Sequence, residues 1–154
     1  MANNLFAVLD QQQLESLSDA EAQLEGEGTV ACLIVPGSRL VEVMKLLQGN
    51  QALAADYLAD VTAVDRGDSG FEVVYQLFSL ANNARGTVKT LVARDNPKVP
   101  TVTSIWPGAD WMEREVFDLM GVEFTGHPCL KRILLNEDFV GHPLRKDFRM
   151  QPPE

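Results

Sequence analysis

The chain has 154 residues, 45% of them hydrophobic, which suits one domain with its own core and is too apolar for a disordered chain. Its 22 Asp and Glu against 13 Lys and Arg leave a formal net charge of −9. That balance excludes a protein that coats nucleic acid or lies on an anionic membrane, since both need a basic footprint.

Residues 1–30 hold six acids and no Lys or Arg. Within them, residues 11–25 carry leucines at 14, 17 and 24, a spacing that predicts a short amphipathic helix. The start, MANNLFAVLDQQQ, lacks the basic and apolar regions of an export signal. No apolar run approaches the roughly 20 residues that span a bilayer, so a place in the cytosol or on a cytosolic face is expected. Residues 29–35 read as a buried strand, stopped by Pro36-Gly37, in which Cys32 packs as a small hydrophobe. With only one other cysteine, Cys129, the chain has neither a disulfide framework nor the four thiolates of an iron–sulfur cluster.

Ser38 is placed to cap a helix through Gln48, with Leu40, Val43, Met44 and Leu47 at helical spacing. Residues 56–65 are ambiguous in period and lean towards a strand after a short helix. Residues 71–81 and 87–94 read as two long strands joined by a hairpin-type loop at 82–86, which favours an antiparallel pair. Asp95–Pro100 is expected to break regular structure, and Pro107-Gly108 punctuates again. The order describes an α+β, two-layer domain with a mixed sheet over residues 1–125.

A well-marked helix follows Pro107. Asp110 is a candidate N-cap with Glu113 three residues on, the spacing of a capping box, and Gly121 stands where a C′ residue belongs. Met112, Val116, Leu119 and Met120 supply its apolar stripe. Residues 126–154 hold four of the eight prolines and read as an extended, irregular tail. Between residues 127 and 149 stand five bases, three acids and both histidines, so the tail is expected to meet something specific.

Two constellations carry what chemistry there is. In Glu113-Arg114-Glu115-Val116-Phe117-Asp118, Arg114 and Asp118 are i,i+4, while Glu115 and Asp118 share a face. Paired carboxylates there would transfer protons, but no nucleophile, ligand set or glycine-rich loop completes an active site, and a structural or bridging role is expected. The tail repeats a unit: Gly126-His127-Pro128-Cys129-Leu130-Lys131-Arg132 and Gly141-His142-Pro143-Leu144-Arg145-Lys146. His127, Cys129 and His142 are ligand types for zinc, and a small metal-dependent enzyme is a rival reading, but a fourth ligand and ligand-like spacing are missing. The paired bases are expected to dock on an acidic surface, this chain's own or another's.

The string Glu113–Met120, then His127, Lys131 and Ile133-Leu134, resembles the signature of the thirty-kilodalton subunit family of respiratory complex I. The flanking segments Tyr57–Asp65, Phe71–Tyr75, Asn96–Val102 and Gly141–Phe148 agree, so the resemblance runs from about residue 28 to residue 149. It implies a place in the peripheral arm of a membrane-bound NADH–quinone oxidoreductase, on the cytoplasmic face of the inner or plasma membrane. Members of the family carry no cofactor. They clasp the quinone-site subunit, of the forty-nine-kilodalton type, near the iron–sulfur subunit of the twenty-kilodalton type. FMN and iron–sulfur clusters would sit in other subunits. Glu113, Arg114, Glu115, Asp118, His127, Lys131, Arg132, His142, Arg145 and Lys146 would then be structural and interfacial. The tail, 126–154, would dock on partner subunits. The same family serves membrane-bound hydrogenases, formate hydrogenlyase-type complexes and ferredoxin- or F420-linked relatives, and the sequence does not choose among them.

Overall fold

The computed structural model describes residues 3–9, 15, 17, 21–26 and 31–150. Its strands are β1 (Asn3–Asn4), β2 (Gln23–Glu25), β3 (Cys32–Ile34), β4 (Tyr57–Asp65), β5 (Phe71–Ser79), β6 (Ala84–Val92), β7 (Lys98–Pro100) and β8 (Glu123–Thr125). Its two described α-helices are α1 (Leu40–Gly49) and α2 (Ala109–Met120). The main sheet runs β2-β3-β6-β5-β4, with β1 also paired to β6. It is mixed: β4, β5 and β6 form an antiparallel meander, while β1 and β3 join β6 in parallel. The α+β reading holds.

Residue period explains the long strands. On β6, Ala84, Gly86, Val88, Thr90 and Val92 are buried, while Arg85 and Leu91 between them are exposed, the alternation of a sheet with one covered face. Phe71, Val73, Tyr75 and Leu77 of β5 supply the same face and are almost wholly buried. They join Leu40, Val43, Met44 and Leu47 of α1 and Val116 and Met120 of α2 in one apolar cluster. The turn from β4 to β5 depends on Gly70, whose φ is +94° and where a Cβ would collide with the Val92 carbonyl.

Several expectations need correction. Gln23–Glu25, the end of the helix expected over 11–25, is a strand paired antiparallel with β3; most of the remainder, with Thr29 and Val30, lies outside the described residues. Ser38 does not cap α1: a 3-10 turn over Gly37–Arg39 leads into the helix, and its N-cap position, Arg39, makes no side-chain cap bond. The β5–β6 loop is tighter than read, since Ala84–Gly86 already belong to β6 opposite Leu77–Ser79. Lys98–Pro100 is not a break. It pairs in parallel with β8, because the Pro97 carbonyl accepts Glu123 N–H at 2.7 Å and Thr101 N–H reaches the Thr125 carbonyl at 2.9 Å. Prolines lack a donor but still accept, so a short pair survives around them.

From residue 126 to residue 150 the chain has no helix or strand. It passes over α2 and returns to the ends of β4 and β6.

Candidate functional site

Helix α2 starts one residue before the expected cap, with Gly108 at the N-cap position and no side-chain cap bond. Glu113 therefore does not reach back in a capping box. It turns inward, fully buried, and accepts Thr101 Oγ1–H at 2.5 Å and Val102 N–H at 2.8 Å. Burial pushes its carboxyl up to about 7, and the nearby Asp110 charge adds to that, against the opposing pull of those two donors. Glu113 thus ties α2 to the segment leaving β7.

The other end of α2 is where the tail attaches. Gly121 closes the helix at φ +70° as expected, and four successive carbonyls there lack onward helical partners. The tail supplies donors for them all. The Asp118 carbonyl accepts from Arg132 Nη1 at 3.2 Å and His142 Nδ1 at 2.9 Å. The Leu119 carbonyl accepts Leu144 N–H at 3.1 Å. Arg145 gives Nε to the Met120 carbonyl at 2.6 Å and Nη2 to the Gly121 carbonyl at 3.2 Å. Two guanidinium groups at a helix C-terminus also meet the negative end of its dipole.

Asp118 is the centre of the joint. Its buried carboxylate pairs with Arg132 Nη1 at 2.7 Å and accepts three backbone N–H groups, from Ile133, Leu134 and Leu135, at 2.8–3.0 Å. Burial opposes its ionisation, but those donors and Arg132 outweigh it and hold the carboxyl at about 2. Arg132 reaches on to the Phe139 and Gly141 carbonyls, so one guanidinium clamps both limbs of the tail. Arg114 does not pair with Asp118. It spans to the Lys131 and Arg132 carbonyls at 3.1 Å and lies over the Trp111 ring. Glu115 is exposed, so the paired carboxylates do not form.

His127 and His142 are both spent on backbone. Cys129 N–H donates to His127 Nδ1 at 3.0 Å, which leaves the Nε2 proton to the Asp110 carbonyl at 3.2 Å. His142 is held below the usual histidine range, first by burial and then by Arg145 and Arg132, against its bond to the Asp118 carbonyl. Among the described residues no group of three His, Cys, Asp or Glu side chains is placed to hold a metal ion. His127, Cys129 and His142 are not brought together around one point.

Sequence reasoning missed a second anchor. Asp65, at the end of β4, accepts Lys146 N–H at 2.8 Å, Gly67 N–H at 2.7 Å and Arg94 Nη1 at 2.8 Å. Burial opposes its ionisation too, and these donors hold it at about 2. Arg94 also pairs with Asp147 at 2.8 Å. The only signal for this cluster was an acid and a base where two apolar strand patterns stop. Lys131 and Lys146, in contrast, are exposed and have no side-chain partner among the described residues. The tail also leaves Leu134, Val140 and Leu144 each at least 60% exposed.

Residues 33–154 match the family described as "Respiratory-chain NADH dehydrogenase, 30 Kd subunit". The chain belongs to that family. Within it, the chain is 50% identical over 123 residues to the C subunit of NADH-quinone oxidoreductase from Moorella thermoacetica, covering 79% of this chain and 82% of that one. It is 39% identical to the corresponding C subunit from Geobacter sulfurreducens over 158 residues, 100% of this chain and 94% of the relative. Among solved structures, a trypsin-resistant fragment (1–134) of Nqo5 has a TM-score of 0.64 at 32% identity, over 78% of this chain and 98% of the fragment. A chain of the membrane-bound sulfane sulfur reductase, an archaeal respiratory membrane complex, has a TM-score of 0.76 at 27% identity, over 91% of this chain and 85% of that one. Among the described residues no helix is long and apolar enough to cross a membrane.

Proposed function

We infer that the chain is a cofactor-free assembly subunit in the peripheral arm of a membrane-bound NADH–quinone oxidoreductase, on its cytoplasmic side. It clasps the quinone-site subunit beside the small iron–sulfur subunit, while FMN and iron–sulfur clusters in other subunits carry the electrons. One observation supports this above the rest. Asp118, Arg114, Arg132, His142 and Arg145 are spent within the chain on seating the tail on α2, and the seated tail presents Lys131, Lys146 and apolar side chains outward. A tail prepared in this way offers a partner an ordered strip and lowers the ordering cost of association. Its lysines favour an acidic counter-surface, which sets partner choice and register more than affinity.

The test is purification of the tagged chain from its native membranes, with and without Lys131→Glu and Lys146→Glu. The wild-type chain is expected to bring down quinone-site and iron–sulfur subunits together with NADH–quinone activity. The double variant is expected to melt at the same temperature but lose most of those subunits. Recovery of the wild-type chain without them overturns the reading. The likeness to the sulfane sulfur reductase chain favours a second reading, in which the parent complex reduces another acceptor from another donor. A co-purified complex inactive with NADH but active with reduced ferredoxin would replace the first reading with that one.

A further inference from the structure

Beside the tail lies a surface that its seating does not use. β4 is the terminal strand of the main sheet, and among the described residues only β5 pairs with it. Its register shifts between Leu58 and Asp60, then runs regularly to Asp65. A groove of about 130 Å³ lies along this stretch, walled by the consecutive residues Asp60, Val61, Thr62 and Ala63 on one side and by α2 on the other. Consecutive strand residues point to opposite faces, so a groove touching all four runs beside the strand's own backbone edge. A strand edge in that state presents unpaired N–H and C=O groups, a template for another extended chain.

The chemistry of the groove selects its occupant. Val116 and Leu119 of α2 and Leu144 of the tail give it an apolar side. Asp60 and Glu115 stand at its margin, both exposed and neither carboxylate with a hydrogen bond or ion pair among the described residues. A second copy of this chain would bring two further carboxylates to the same place, on a molecule already at −9; like charges facing across paired strands are destabilising. A Lys or Arg side chain fits both features, with its stem on Leu119 and Leu144 and its head against the acids. Leu144 belongs to the seated tail, so the groove continues the surface assigned above to partner subunits.

We propose that the free edge of β4, with Glu115 and Leu144 beside it, receives an extended, basic segment of a neighbouring subunit by strand addition. Backbone pairing to Asp60–Asp65 supplies affinity, and the pair of acids selects a segment with a base at the matching position. The inference rests on the assembly reading, because the segment belongs to another member of the same complex.

Hydrogen exchange of the isolated chain and of the chain in its purified complex tests it. Amides within Asp60–Asp65 are expected to exchange about tenfold slower or more in the complex, as a new ladder of hydrogen bonds requires. Asp60→Lys with Glu115→Lys is expected to abolish that slowing while β5 amides remain protected in the isolated variant. A photocrosslinker at Thr62 is expected to capture a segment containing Lys or Arg. Unchanged exchange over Asp60–Asp65 in an intact complex, or capture of a helix, overturns the strand addition and leaves the assembly reading standing. Failure of the chain to join any complex overturns both.

Discussion

The sheet and the tail are held by different physics. The sheet buries Phe71, Val73, Tyr75, Leu77 and Val88 almost completely against two helices, and such burial is non-directional and tolerant of small changes in angle. The tail buries less apolar surface: Leu130, Ile133, Leu135, Phe139 and Phe148 are only half-buried, and Leu134, Val140, Leu144 and Met150 are exposed. It is fixed instead by charge-assisted bonds to two aspartates and by donors to the last carbonyls of α2. Bonds of that kind are strong only where geometry is met and both partners are present. The comparison therefore predicts two separable stabilities in one small chain, one distributed and one concentrated in a few atoms.

Asp118→Ala is the largest single blow to the second. It strands the Arg132 guanidinium and three backbone N–H groups. Removing one member of a buried, hydrogen-bonded charge pair costs about 3–5 kcal/mol. The expected result is tryptic cleavage at Lys131 and Arg132 with the β4–β6 amides still protected against exchange. Loss of β5 protection in the same variant would show that the tail and the sheet are one cooperative unit.

The next effect belongs to the buried carboxyl that ties α2 to the segment leaving β7. Glu113 rises from 4.5 to about 7 on folding, so the folded chain holds more protons between those values. Its stabilising contribution is full below pH 4.5 and is lost as pH rises through 7, by about 3 kcal/mol in all. The groups facing it are Thr101, Val102, Asp110 and His127, whose ring lies 3.9 Å away, with Tyr75 within its field. Lowered His142 slopes the other way, so the clean reading is a difference between proteins. Glu113→Gln is expected to flatten the fall in denaturant midpoint between pH 5 and pH 8. A wild-type midpoint constant across that range would show that the carboxyl is not held protonated.

These anchors also show what a sequence carries and what it withholds. β5 was legible because aromatic and branched residues crowd its sequence, β6 because its buried and more exposed positions alternate, and the Gly121 stop because a left-handed C′ position favours glycine. Glu113 was misread: capping-box spacing is a local pattern, and here a longer-range bond to Thr101 and Val102 prevailed. The basic tail pointed to a specific partner, and for Arg132 and Arg145 that partner is α2 of the same chain. No local pattern announces that four carbonyls at one helix end will be met from 14 to 25 residues away. Asp65 was invisible for a related reason, since its bond to Lys146 crosses 81 residues and reads locally as part of a turn.

Asp65→Asn sharpens the comparison at the tail's far end. Folding lowers this carboxyl from 3.8 to about 2, so its contribution is present above pH 3.8 and lost as pH falls through 2. The shift corresponds to about 2 kcal/mol. The asparagine variant is expected to lose about that much at pH 7 and to show a shallower acid transition. An acid transition as steep as the wild type would place the stabilising charge elsewhere.

The smallest effect tests the helix end itself. At Gly121 a Cβ would stand 2.5 Å from Arg145 Nη2 and 2.6 Å from the His142 ring, on backbone with φ +70°. Gly121→Ala adds the strain of a left-handed alanine, about 1 kcal/mol, and pushes two tail side chains off the α2 carbonyls. Because both neighbours are ends of side chains and not backbone, they yield. The sheet should keep its melting temperature to within a few degrees, while trypsin reaches Arg145 sooner. If trypsin reaches Arg145 no sooner than in the wild type, the Met120 and Gly121 carbonyls do not hold the tail, and the anchoring reduces to the two aspartates.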